Sequence, residues 1–346
     1  MKMLSSTTNR GTTAAAGVLT LVIIAVMGCG GGGSGSPGSG GGSGTGAGGA
    51  GNSGTTNTLC SLDERYGGFS IQLINEAGND PFASINGGVR NGVLPSEVWQ
   101  QKGAAMGPCR LIVGPMIVCT TPCTNPQICA GQNQCITSPT YQNLGAVTIS
   151  GVGTSAITID PSQNFYTSSL VNPYPPFAPG AAVRLQAAGA TGPAFSLDSV
   201  GIEPLAFAGS GLTLTNGQPF AFTWTPPATA GTARILATVE IGHHGGVAAQ
   251  IDCDLPDTGS AEIPGALVTA LMAEGVNGYP TLTLTRRATV STNVGGGCVD
   301  LVVASPVERE ITACPAPGSC IVSCPDIGVA TGCPASQTCK AGHTCG

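Results

Sequence analysis

The sequence predicts an all-β fold, a disulfide-stapled β-sandwich with small cysteine-rich knots and one short helix. Three observations carry this. From Cys60 onward, apolar and polar residues alternate in many short runs bounded by Gly, Pro or Asn, the pattern of strands buried on one face. Almost no helical pattern lies between them, and strands without helices must bury their apolar faces against other strands. Finally, the chain holds 15 cysteines behind a secretory leader, so they meet an oxidising compartment.

The leader occupies residues 1–28. Lys2 and Arg10 precede an apolar run over residues 14–27, and Gly28 supplies the small residue at the cut. The run is shorter than the ~20 residues a bilayer core needs, which argues against an uncleaved span. Val26-Met27-Gly28-Cys29 resembles the lipobox of bacterial lipoproteins, with Val and Met where Leu and Ala or Ser are usual. The resemblance implies cleavage before Cys29, a diacylglyceryl group on its sulfur and an acylated new amino terminus. One acyl chain anchors marginally, and two or three hold a protein on the membrane. The membrane, reached through lipid on Cys29, is therefore an expected partner. The expected location is the cell envelope, at the outer membrane or cell surface.

Residues 29–58 form the lipidated Cys and a tether. Residues 30–58 are nearly all Gly, Ser, Thr, Ala and Asn, too polar and small to bury a core, and read as disordered. A Gly-rich coil of this length has a root-mean-square reach of roughly 30 Å. The charge balance excludes some partners. The chain has 12 basic and 18 acidic residues, and without Lys2 and Arg10 the remainder carries a net charge of −8. Nucleic acid needs a basic footprint, and anionic lipid needs a polybasic patch.

The strands follow in order. Phe69, Ile71 and Leu73 alternate with Ser70 and Gln72; Val147 and Ile149 with Thr148 and Ser150; Val183 and Leu185 with Arg184 and Gln186. Phe220, Phe222 and Trp224 continue the pattern, as do Leu282 and Leu284 among threonines, and Val299, Leu301 and Val303. A turn is expected at residues 95–99. A helix is expected over residues 264–274, with Pro264 suited to the first turn, Leu267 and Leu271 on one face, and Gly275 at the end. Residues 59–312 then form a sandwich, immunoglobulin-like or jelly-roll-like, with a Cys-rich insert at 109–135. Residues 313–346 form a C-terminal Cys-rich knot.

With Cys29 set aside, 14 cysteines remain in three sets. Cys60, Cys109, Cys119, Cys123, Cys129 and Cys135 form the first. Cys253 and Cys298 stand apart. Cys314, Cys320, Cys324, Cys333, Cys339 and Cys345 close the chain. Six, two and six can each pair internally, so the partition predicts a Cys253–Cys298 bridge, closing a loop worth about 4 kcal/mol. Zinc is disfavoured, because the C-x3-C and C-x5-C spacings lack paired CxxC knuckles. C-x5-C-x5-C occurs twice, at Cys123, Cys129, Cys135 and at Cys333, Cys339, Cys345. Both stretches resemble Dickkopf-like and EGF-like knots, which depend on their bridges for want of a core.

The succession of lipobox, tether, early Cys-rich insert, Leu144-Gly-Ala-Val-Thr-Ile-Ser-Gly151, Tyr174-Pro-Pro-Phe177, His244-Gly-Gly246 and Ile251-Asp-Cys-Asp254 resembles lipoproteins of myxobacteria. That resemblance implies location and architecture, and brings no established activity.

The richest polar stretch runs over residues 240–262, with Glu240, His243, His244, Asp252, Asp254, Asp257 and Glu262. A transition-metal site is opposed by parity. Odd residues Ala237, Val239 and Ile241 share a strand face with Ala249, Ile251 and Cys253 if His243 pairs with Val247. His243 then lies on the apolar side, away from Glu240, Asp252 and Asp254. Asp252, Asp254 and Asp257 are the candidate Ca²⁺ set. Gly151-Val-Gly153-Thr-Ser-Ala156 imitates a dinucleotide fingerprint, but Ile157-Thr-Ile-Asp160 reads as a strand, so no helix N-terminus receives a pyrophosphate. No Ser, Thr or Cys has a recognisable base, and no cofactor is expected. The leading expectation is a non-enzymatic surface lipoprotein for adhesion or recognition of a glycan, envelope material or a protein. The alternatives are a tethered hydrolase, using the same three aspartates, and a purely structural envelope protein.

Overall fold

The computed structural model describes residues 59–75, 78–209, 211–241, 248–276, 280–316, 319–321 and 338. In chain order the first strands are β1 (Arg65–Ile74), β2 (Phe82–Val89), β3 (Gln100–Gln101), β4 (Cys109–Val113), β5 (Gln127–Cys129) and β6 (Cys135–Thr137). β7 (Val147–Ser150), β8 (Ile157–Ile159), β9 (Tyr166–Leu170), β10 (Ala182–Ala187) and β11 (Phe195–Val200) follow. Then come β12 (Thr213–Thr215), β13 (Phe220–Thr223), β14 (Arg234–Glu240), β15 (Ala249–Pro256) and β16 (Ser260–Ile263). The helix α1 (Gly265–Ala273) precedes β17 (Thr281–Val294), β18 (Gly297–Glu310), β19 (Thr312–Ala316) and β20 (Ser319–Ile321). A single 3-10 turn covers Pro95–Glu97. The fold is thus all-β with one α-helix among the described residues, and the strands and helix read from periodicity are present.

Nine strands form the central sheet in the order β3-β4-β15-β14-β17-β18-β1-β2-β9. Its spine is the hairpin of β17 and β18, paired from Thr281–Glu310 to Val294–Gly297. Gly295 and Gly296 make the two-residue turn with φ of +52° and +102°, the left-handed pair a tight hairpin demands. β1 joins β18 in parallel, whereas the sheet's other pairings are antiparallel. β14 and β15 pair Val239 with Ile251 and Ala237 with Cys253, the odd-with-odd register expected from sequence.

One face of this sheet carries two cores. Ile235, Ala237 and Val239 of β14, Ile251 and Cys253 of β15, and Leu282 and Leu284 of β17 lie beneath α1 and the β13–β16 ribbon. Phe69, Ile71, Ala288, Val290, Leu301 and Val303 face the second sheet, ordered β11-β10-β7-β8, through Val147, Ile149, Val183 and Leu185. These two packed sheets are the sandwich. Residue 286 shares the face of Leu284 and Ala288 by the two-residue period, and there the cores divide. Arg286 is 1% exposed. Its Nε donates to Asp257 Oδ2 at 2.5 Å, and its terminal nitrogens donate to the carbonyls of Pro204 at 3.0 Å and Thr225 at 2.8 Å. A buried guanidinium is tolerated only when its donors are met in this way.

The disulfides overturn the six-two-six partition. Cys60 is bridged to Cys298, and Cys109 to Cys253. Cys253 shares the apolar face with Ala237 and Leu284. Cys298 lies opposite Asn293 on the other face. Side chains on opposite faces of one sheet cannot meet, so the predicted Cys253–Cys298 bridge is excluded by register. The first knot keeps two interleaved bridges, Cys119–Cys129 and Cys123–Cys135, beside the β5–β6 hairpin. Cys314 is bridged to Cys320. β4 begins at Cys109, within the region read as the insert, and β19 crosses residue 313 to pair with β12. Cys324, Cys333, Cys339 and Cys345 lie outside the described residues.

Candidate functional site

The second face of the central sheet is polar. By strand alternation it presents Thr285, Arg287 and Thr289 of β17, Asp300 of β18, Thr238 of β14, Asp252 and Asp254 of β15, and Arg110 and Ile112 of β4. Much of it is covered nonetheless, and Asp252, Arg287 and Asp300 are buried. Residues 59–64 lie over part of it. Leu59 packs on Val302 and Ala304, the Cys60 amide donates to Asp300 Oδ1 at 2.8 Å, and Arg65 Nε lies 2.9 Å from Asp300 Oδ2. With the Cys60–Cys298 bridge, this pins the start of the described chain to the sheet.

The three aspartates of the expected Ca²⁺ set are held apart. Asp252 Oδ1 accepts from Thr238 and Gln250, each at 2.9 Å. Asp254 is paired with Arg234 at 3.0 Å and lies 3.6 Å from Arg287. Asp257 belongs to the other face, where it holds Arg286 and accepts from the Trp224 indole at 2.7 Å. Their oxygens do not gather within 4.8 Å of one another. Two groups of three ligand-type residues do gather so closely among the described residues, Cys119, Cys123 and Cys135, and Cys60, Cys298 and Asp300. Their sulfurs are all in disulfides, which removes the thiolate a metal would need. Cys29, His243 and His244 lie outside the described residues.

Three charged groups on this face stay incompletely met. Oδ2 of Asp252, Oδ2 of Asp300 and one terminal nitrogen of Arg287 are buried without a hydrogen-bond partner, Asp300 Oδ2 having only the Arg65 ion pair. Burial pushes the Asp252 carboxyl up from its ordinary value, against hydrogen bonds from Gln250 and Thr238 and the charges of Arg110 and Arg287. Burial lowers Arg287, with Asp254 and Asp252 opposing.

Beside this cluster a cleft of about 270 Å³ opens, lined by Ser61, Leu62, Asp63, Val98, Trp99, Gln101, Arg110 and Ile112. Its floor is β4, stapled to β15 by Cys109–Cys253. One wall is residues 61–63, fixed through Cys60. The other follows the Pro95–Glu97 turn. Arg90 holds Glu97 at 2.9 Å, donates to the Tyr141 hydroxyl at 2.8 Å and stacks 4.6 Å from that ring. The Trp99 amide donates to the Glu97 carbonyl, and Gln100 and Gln101 pair with Val113 and Ile112. Arg110 stands directly opposite Asp252 across β4 and β15. Its guanidinium has no hydrogen bond or ion pair among the described residues. Sequence reading missed this site. Trp99 was visible only as part of a turn and Arg110 only as the neighbour of a cysteine, and no local pattern joins either to Asp63.

Among the described residues no helix is long and apolar enough to cross a membrane. No family model and no curated protein matches the chain. Among solved structures, the FN1-FN3 domains of chicken CNTN1 match over 62% of this chain and 65% of theirs, at 8% identity and a TM-score of 0.17. So loose a superposition carries no argument about fold or function.

Proposed function

We propose that this chain is a lipid-anchored, non-enzymatic protein of the bacterial cell envelope. Its diacylglyceryl group sits on Cys29, and its disulfide-stapled sandwich recognises a glycan, an envelope component or another protein. The observation that carries the reading is the Cys60–Cys298 bridge. It locks the first described residues to the sheet immediately after the Gly-rich stretch of residues 30–58. The composition of that stretch is the one expected of a tether, which display at a surface requires. Five bridges in the described residues also fit an oxidising compartment outside the cytosol. The separate partners of Asp252, Asp254 and Asp257 favour recognition over hydrolysis, which needs carboxylates converging on one bond.

Cys29→Ser tests the anchor. The substituted protein is expected to lose acyl labelling and to be left soluble or uncleaved, because no thioether can form. Acyl labelling and membrane fractionation equal to the native chain would overturn the lipid anchor. Retention of the full-length native protein, held in detergent micelles, on delipidated envelope material tests the recognition role, and retention no greater than on blank matrix overturns it.

A further inference from the structure

We propose that the cleft between residues 61–63 and Trp99 is a saccharide-binding site that receives one sugar ring of a glycan. The assignment rests on the recognition reading above and names its site and ligand class.

The cleft combines an aromatic surface, apolar flanks and polar groups of both kinds. Trp99 is half-buried, with Leu62, Val98 and Ile112 as the other apolar lining. Arg110 brings donors, Asp63 brings acceptors, and Gln101 brings a side-chain amide whose nitrogen already donates to the Gly103 carbonyl at 2.9 Å. The Asp63 carboxylate also accepts from the Ser61 hydroxyl. A simple anion would suit Arg110 but meet Asp63 at the same cleft, and a simple cation would meet the reverse. A pyranose suits both, because each hydroxyl donates and accepts while the ring's C–H face lies against an indole. The volume, about 270 Å³, falls just below the usual range for small-molecule sites and accommodates a ring rather than a long ligand.

The second observation is the state of the polar groups. Arg110 and Asp252 are register partners, and Asp252 Oδ2 is buried without a hydrogen bond. Even so, the Arg110 guanidinium makes no hydrogen bond to it, and Arg110 is one of the residues that line the cleft. The Trp99 indole N–H likewise has no partner among the described residues. Donors without protein partners break no protein hydrogen bond when a ligand binds, which lowers the cost of association. Cys60–Cys298 fixes the wall of residues 61–63, Cys109–Cys253 fixes the floor, and the pairing of Gln100 and Gln101 with β4 holds the Trp99 side.

The test uses the full-length protein in detergent micelles and beads displaying many copies of a neutral hexose, an N-acetylhexosamine or a hexuronic acid, since multivalent display raises weak single-ring affinity. At least one sugar is expected to retain the protein. Trp99→Ala and Arg110→Ala should each weaken retention at least tenfold, while Met116→Ala, on an exposed loop, leaves it unchanged. Soluble sugar should protect native fluorescence from iodide, which reaches Trp99 but not Trp224 in the core. Far-UV circular dichroism confirms that each variant is folded. Retention that survives both substitutions overturns the assignment, as does equal retention on succinate beads, which marks an anion site. Binding to delipidated envelope material with none to any sugar bead overturns this site and leaves the recognition role standing. Loss of both overturns both.

Discussion

Asp252 lies opposite Arg110 on the polar face of the sheet, yet only 3% of it is exposed. Its Oδ1 is met twice and its Oδ2 not at all, and an orphaned buried acceptor costs about 1–3 kcal/mol. Burial raises its pKa, and the facing groups that oppose the shift are Gln250, Thr238, Arg110 and Arg287. A carboxyl raised in this way keeps its proton longer in the folded state than in the unfolded one. Its contribution to stability is therefore greatest below the unfolded value of 3.8 and declines as pH rises through the folded value. Asp252→Asn removes that dependence. Relative to the native protein, the variant should gain stability as pH is raised from about 4 towards neutrality, read from denaturant midpoints. A difference independent of pH would contradict the raised carboxyl.

β4 shows how a short strand is kept in place. It has five residues, its outer neighbour β3 has two, and hydrogen bonds alone hold such an edge weakly. Cys109 and Cys253 are direct register partners with Cα atoms 4.0 Å apart, and their bridge fixes the floor of the cleft. Replacing both with Ala should cost about 2–5 kcal/mol. Peptide mapping of the non-reduced protein should recover Cys60 linked to Cys298 and Cys109 linked to Cys253. A Cys253–Cys298 peptide would contradict the register of β15 and β18.

Two cores share one sheet face, and β17 runs through both. Arg286 occupies their boundary, and its pairing with Asp257 ties β17 to the segment leading into β16. Carbonyls from residues 203, 204 and 225 converge on the same guanidinium, so loops above each core meet at one charge. Arg286→Met leaves Asp257 buried without its cation and should lower stability by about 3–5 kcal/mol. Because continuous strands join the cores, calorimetry of the native oxidised protein should show one transition. Two well-separated transitions would mean that the cores fold as independent units.

Sequence alone determined what depends on near neighbours. Alternation marked the faces of β1, β7, β10, β13 and β14, and Pro264 with Leu267 and Leu271 marked α1. Matching the parities of residues 237–241 and 249–253 yielded the β14–β15 register. The full length of β17 stayed hidden because Arg286 and Arg287 interrupt its apolar alternation just where the two cores part. The parallel union of β1 with β18 stayed hidden because no turn links strands so far apart in the chain. Cysteine partners also depend on sheet face and register, which sequence clustering does not encode, so proximity along the chain paired Cys253 with Cys298 and tertiary structure paired it with Cys109. The cleft is of the same kind: Asp63, Trp99 and Arg110 come from three segments, and only closure of the sheet brings them to one place. A side chain's face is set by its immediate neighbours, but what lies across from it is set by strands whose meeting is decided by the packing of the whole sheet.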